Sequence, residues 1–289
     1  MFLLLSVIGG SNAPLIKNAL KDFPPYTLVF LRFSLASLIL LPFVLKEKIH
    51  FKKDSFKYLL FGSLAMGANV ILFAVGLQHT TIMMSQLIFV PKGLLVAVLG
   101  FILLKEALSK NQKLGLFFTM VGMSILIYGS VVTEDILSFG KPFGNLLIVT
   151  GFFLSSLYYV ISRKISKLYS PLTITFFSFL IASILSLPFA LFEFTNRQFI
   201  PANITTYAIL NLLALVIFSS IIVYYLAQWI IKHTSAFIAA LALYMNFLIA
   251  SVIGIIFFSE RLTALFIIGA VFIMFGVFIA IRKRNDITY

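Results

Sequence analysis

The chain contains one stretch twice, and that repeat limits its fold more than any other feature. Residues 79–106 read HTTIMMSQLIFVPKGLLVAVLGFILLKE, and residues 233–260 read HTSAFIAALALYMNFLIASVIGIIFFSE. A shift of 154 positions, without a gap, lays His79 on His233, Thr80 on Thr234, Gly100 on Gly254 and Glu106 on Glu260. The register continues through Gly115/Gly269 and Gly122/Gly276. Leu and Ile coincide by chance in any apolar chain, but rare His, Glu and spaced Gly do not. A second shift, of 146, matches Pro25/Pro171, Thr27/Thr173, Pro42/Pro188 and Glu47/Glu193 across residues 25–47 and 171–193. The eight-residue difference between the shifts is absorbed by a longer connection in the later copy. Two units are expected, 1–135 and 141–289.

Only 11% of the residues are charged and 61% are hydrophobic, against roughly 25% charged in soluble domains. Such a chain has too little polar surface to cover itself in water and belongs in a bilayer. It has no cysteine, which excludes disulfides, thiol catalysis and thiolate metal sites. The net charge of +13 is spread in short runs between apolar stretches, a pattern that suits anionic lipid headgroups rather than nucleic acid. The first apolar run starts at Phe2 with no basic region ahead of it, and is read as a genuine span, not a cleaved signal.

Runs of about 20 apolar residues, enough to cross ~30 Å of hydrocarbon, predict an all-α integral membrane protein of ten transmembrane helices. They fall near 2–20, 26–45, 56–78, 81–104, 113–132, 143–162, 171–191, 207–231, 235–258 and 263–281. With this layout fifteen Lys and Arg lie on the side of both termini and five on the other. The positive-inside rule therefore predicts cytoplasmic termini, in a bacterial-type cytoplasmic (inner) membrane. An odd number of spans per unit inverts the second unit relative to the first. Two inverted five-helix repeats around a central cavity can open it to each side in turn, which is alternating access.

The stretches GGSNAPLIKNAL (9–20), LRFSLASLILLP (31–42), KEALSKNQKLGLFFTMVGMSILIYG (105–129) and SERLTALFIIGAVFIMFGVFIAI (259–281), with Pro91 inside the fourth span, resemble the EamA-like family of the drug/metabolite transporter superfamily. The resemblance covers nearly the whole chain. It implies a ten-helix fold of two inverted repeats and secondary transport of small metabolites. Two departures stand out: no tryptophan precedes the Gly-Ser motif of the first span, and Met245 occupies the place of Pro91 in the later copy.

Lys92 carries the most chemical information. It lies about 12 residues, or ~18 Å, from either end of its span, beyond the reach of a snorkelling side chain. A cation there costs roughly 2.5–3.5 kcal/mol on insertion scales, so it is expected to face a wet cavity and to bind an anionic group. Pro91 removes one backbone donor beside it and loosens the helix. The repeat places Asn246 opposite Lys92. Ser85, seven residues away, is expected on the Lys92 face, with Gln86 turned about 100° from it. Arg32 is a second intramembrane cation, with a structural role or a snorkelled position as the competing reading. Asn12, Asn69, Tyr158 and Tyr244 complete the candidate substrate-binding set. Glu106 and Glu260 fall at span ends, where helix termination or loop anchoring is expected. The glycine stripe Gly115, Gly122 and Gly129, repeated at Gly269 and Gly276, predicts close packing of the fifth and tenth spans.

The expected function is a secondary transporter moving a small metabolite, carboxylate-bearing and such as an amino acid. The alternatives are an organophosphate or nucleotide-sugar exchanger and, further off, a pore or lipid scramblase. No HExxH, paired Asp or phosphate loop is present, so an enzyme is not expected, nor is any cofactor or metal. The partners expected are a small-molecule substrate and the bilayer, with a homodimer compatible but not required.

Overall fold

A computed structural model describes residues 8–47, 53–105, 107–133, 135–196, 199, 204–233 and 236–281, without the side chains of 53–54, 236–245 and 281. The described elements are helical: α1 (Asn12–Ala19), α2 (Pro25–Val44), α3 (Lys53–His79), α4 (Ile82–Phe89), α5 (Lys92–Leu104), α6 (Lys110–Val132), α7 (Ile136–Phe139), α8 (Pro142–Ile165), α9 (Pro171–Thr195) and α10 (Thr206–Ala214). A π-helical segment, Leu215–Ile222, then runs into α11 (Val223–His233), followed by α12 (Ala236–Phe258) and α13 (Ala264–Ile281). Seven helical stretches among the described residues are long and apolar enough to cross a membrane, and two shorter ones, Asn246–Phe258 and Ala264–Ala280, are apolar. Where α3 was expected as one span and the fourth span as another, the fourth is interrupted at Val90–Pro91.

Helix starts follow local chemistry. Pro25, Pro142 and Pro171 occupy first-turn positions, where a missing N–H leaves nothing unpaired. Thr81, Ser109, Ser170 and Thr205 accept from backbone N–H groups of their own first turns. A further set of caps reaches between distant parts of the chain. Glu193 accepts from Tyr26 N–H, Thr27 N–H and Thr27 Oγ1 at the start of α2. Its repeat counterpart Glu47 accepts from Ser170 Oγ and Thr173 Oγ1 at the start of α9. The two carboxylates therefore pin the antiparallel α2–α9 pair at both ends. Between them Ser34 and Ser183 meet at 2.6 Å and the Phe33 and Phe179 rings at 5.1 Å.

Glu260 does the same for α4, accepting from Ile82 N–H at 2.5 Å and Met83 N–H at 2.9 Å. The residue before it, Ser259, has φ 56°, and Lys105, 154 positions earlier, has φ 57°. These are the described non-glycine residues in the left-handed region, a conformation that costs of order 1 kcal/mol or more. At Ser259 the turn is offset by the two backbone bonds that Glu260 then makes.

The glycine stripes pack as expected. A Cβ at Gly122 would lie 2.7 Å from Gly269 O and 2.7 Å from Ile273 Cγ1, and one at Gly269 would lie 2.7 Å from Leu126 Cδ2. α6 and α13 thus approach backbone to backbone, at the edge of the bundle. Gly122→Val should wedge this pair apart, costing about 1–3 kcal/mol as overpacking does. The check is the melting temperature of the detergent-purified protein, which should fall, while Leu114→Val on the exposed face of α6 should leave it unchanged.

Candidate functional site

The break in the fourth span opens the site. Val90 N–H donates to Leu87 O at 3.2 Å, a tighter turn than an α-helix makes, and Pro91 has no N–H to give. α5 therefore begins inside the bundle, its Leu94 and Leu95 N–H groups donating to Pro91 O, with the partial positive charge of a helix N-terminus. Lys92 stands at that point, 5% exposed. Its Nζ lies 3.6 Å from the centroid of the Tyr159 ring and 5.8 Å from that of Phe89. Among the described residues these aromatic faces are its partners, and no carboxylate meets it. Cation–π contact offsets only part of the cost of a buried ammonium.

Lys92 borders a cavity of about 120 Å³ that also reaches Asn12, Arg32, Asn69, Gln86, Ser155, Tyr158, Tyr159, Tyr224 and Asn246. Phe33, Met66, Phe73 and Phe89 supply apolar walls. No Asp or Glu is among the described lining residues. Arg32 is 4% exposed. Its Nε donates to Ser220 Oγ at 2.6 Å and its Nη2 to Asn12 Oδ1 at 3.3 Å, with the guanidinium 5.0 Å over Phe33. Ser220 belongs to the π-helical segment, whose wider turn displaces side chains from α-helical phase. Tyr158 OH is 3.0 Å from Ser178 Oγ. Asn69 Oδ1 and Ser155 Oγ are buried without a hydrogen-bond partner in the described structure, an unusual state that a polar ligand or water would relieve. A Cβ at Gly9 would lie 2.6 Å from Asn246 Nδ2, so a bare backbone at Gly9 is what lets Asn246 occupy its place.

The structure thus brings together six of the candidate residues: Asn12, Arg32, Asn69, Lys92, Tyr158 and Asn246. Ser85 is a correction. It is fully buried outside the cavity, donating to Ile82 O at 2.8 Å, and Gln86 faces the cavity instead. A seven-residue spacing keeps one face only along an unbroken helix, and the interruption at Val90–Pro91 resets the phase. Arg32 is held inside the bundle, so the snorkelled reading fails. The side chain of Tyr244, and Glu106, lie outside the described residues. Tyr159, Gln86 and Ser155 were not foreseen; Ser155 and Tyr159 are four apart on the face of α8 that carries Tyr158's neighbours, a spacing that was available to find them. Glu260 lies outside the helices, between α12 and α13. Burial pushes its carboxyl pKa up, opposed by the Met83 and Ile82 N–H bonds and the charge of Lys17.

The model of the EamA-like transporter family matches residues 1–128 and again 142–282. The chain belongs to the EamA-like transporter family. This EamA-like protein is 29% identical to the uncharacterized transporter YyaM of Bacillus subtilis, over 97% of this chain and 92% of that one. It is 25% identical to an uncharacterized transporter of Archaeoglobus fulgidus, over 98% and 96% of the two chains. A solved crystal structure at 15% identity superposes with a TM-score of 0.66, covering 97% of this chain and 94% of that chain, a likeness of fold alone. The protein is accordingly a multi-pass membrane transporter.

A buried lysine with no acidic partner among the described residues is held at the expense of stability. Lys92→Met keeps the volume and removes the charge, so the EamA-like protein carrying it should melt higher than the parent, by up to the ~3 kcal/mol scale of a mid-membrane lysine. Thermal unfolding in detergent checks this; a lower melting temperature would make Lys92 a structural residue.

Proposed function

We propose that this chain is a secondary transporter that carries a small, carboxylate-bearing metabolite, such as an amino acid, by alternating access. The observation that carries the reading is Lys92. It is a buried cation at the inner N-terminus of a broken helix, in a cavity with no acidic residue among its described lining. Side-chain charge and helix dipole point the same way there, and both favour an anion. The buried, unpartnered Asn69 Oδ1 and Ser155 Oγ are suited to the remaining polar groups of such a solute, and the Phe and Tyr walls to its apolar part.

In this reading ten helices form two inverted five-helix repeats, 1–135 and 141–289, with both termini in the cytoplasm of a cell whose cytoplasmic membrane holds the protein. The repeat registers and the distribution of Lys and Arg support it. The central cavity lies where residues of both repeats meet, Lys92 from one and Asn246 from the other. No described group in the cavity is suited to relay a proton through Asp, Glu or His, so exchange or facilitated diffusion is favoured over proton coupling. One observation favours a second substrate class. Arg32 borders the same cavity as Lys92, and two cations suit the higher charge of an organophosphate or a nucleotide sugar.

Counterflow in proteoliposomes tests both. Vesicles preloaded with pooled amino acids and organic acids should accumulate a labelled carboxylate. Lys92→Met should cut uptake at least tenfold, and Lys92→Arg should retain part of it. Accumulation of an organophosphate alone would select the second class. Transport by Lys92→Met at the parent rate would remove the anion-binding role.

A further inference from the structure

Both ends of the cavity are tied by the same device. At one end Lys17, in the last turn of α1, donates through Nζ to Leu77 O and Thr80 O, at 2.5 Å each. At the other end Arg163 donates through Nη1 to Ile231 O at 3.0 Å. A shift of 146 carries Lys17 onto Arg163, and a shift of 154 carries Leu77 onto Ile231. These are the two registers of the internal repeat, so the contacts are equivalent partners and not a coincidence of two basic residues. Each tie lies just past the cavity lining. Ile16 and Ala74 border the cavity beside Lys17 and Leu77, and Tyr159 and Ala227 border it one turn before Arg163 and Ile231.

Each tie is reinforced. Beside Lys17, Glu260 caps α4 through Ile82 and Met83. The connection 77–83 is thus gripped on its carbonyls by a cation from α1 and on its N–H groups by a carboxylate from the far half of the chain. Beside Arg163, Gln228 Nε2 donates to Ser162 Oγ at 3.2 Å. α4 runs only from Ile82 to Phe89 before the Pro91 break. It is therefore a short segment, held at one end by Glu260 and interrupted at the other, where Lys92 stands.

We infer that Lys17 with Glu260, and Arg163 with Gln228, are the two latches of the transport cycle, each let go in turn to open the cavity on its own side. This rests on the alternating-access reading above. Side chains that grip main-chain carbonyls and N–H groups suit the task. Such bonds hold a helix end firmly when made, and water satisfies both partners when the end opens. Glu193 and Glu47 have the same cap chemistry, but they pin both ends of the α2–α9 pair, and in this proposal they stay closed throughout the cycle.

The chain has no cysteine, so a single Ser155→Cys reports access to the cavity. Its labelling by a membrane-impermeant maleimide is measured in right-side-out and inverted vesicles. Lys17→Met and Glu260→Gln should each speed labelling from one face by about tenfold, the equivalent of one charge-assisted bond, and slow it from the other. Arg163→Met should produce the reverse pair. Glu193→Gln should lower the melting temperature without changing the ratio of the two faces. Equal acceleration from both faces, or an unchanged ratio in all three latch variants, would overturn the proposal. Lys17→Met and Glu260→Gln report the same latch, so one serves if the other does not fold. Counterflow in vesicles that hold each latch variant with Ser155 intact separates the two readings. An unchanged ratio with intact transport sinks the latches alone, whereas a shifted ratio without transport sinks the substrate reading alone.

Discussion

In hydrocarbon no water is available to accept a stray backbone N–H or carbonyl, and every departure from continuous helix has to be satisfied by the protein. The structure around Val90–Pro91 follows from this constraint. A proline in mid-span removes one donor and ends α4, so a helix N-terminus opens inside the bundle. An interior N-terminus is tolerated only where it borders a cavity, and the cavity is where Lys92, Asn246 and the other polar side chains collect. The far end of α4 shows the same constraint met in another way. Ser259 takes a left-handed turn so that Glu260 can satisfy two N–H groups that the short α4 cannot satisfy itself.

The caps also explain why acidic residues are so few and so placed. Of the nine acidic residues in the chain, Glu47, Glu193 and Glu260 each bind the start of a helix far away in sequence. A carboxylate at a helix N-terminus gains from the dipole and from charge-assisted bonds, and it needs no basic partner. That leaves the cavity's Lys92 and Arg32 with no carboxylate beside them among the described residues. Had any of these glutamates faced Lys92 or Arg32, the pair would have neutralised the site before a solute arrived.

Much of the fold was legible because its signals are long-range regularities. The 154 and 146 registers survive in apolar sequence through His, Gly, Glu and Pro; they anticipated the α6–α13 glycine contact and matched Glu47 with Glu193, though not the caps that both make. Lys92, Asn246, Asn69, Asn12, Arg32 and Tyr158 could be singled out because polar groups at mid-span are costly wherever they face. What could not be read was the facing itself. Ser85 was placed by counting sevens through Pro91, and the broken helix put Gln86 in its stead. Arg32 looked able to reach an interface, but Ser220 holds it, and Ser220 is positioned by a π-helical turn that leaves no mark in hydropathy. Nothing in the residue type singles out Tyr159, since a tyrosine in an apolar span reads equally as packing.

The two halves are alike at the ends of the bundle and unlike at its centre, and this division bears on how such a protein can work. Lys17 and Arg163 keep the partners Leu77 and Ile231 across the repeat, and Lys105 and Ser259 keep the same left-handed backbone. At the cavity, Pro91 faces Met245 in register and Lys92 faces Asn246, so one half has a broken helix with a cation and the other a continuous helix with an amide. A solute recognised by a symmetric site could bind in two opposed poses of equal energy. A single ammonium on one half removes that degeneracy and fixes one pose. In the proposed cycle the repeated latches then supply two openings of similar energy, while the unrepeated centre keeps the solute bound to the same residues in both. In that proposed cycle, likeness at the rims and its loss at the core are complementary requirements.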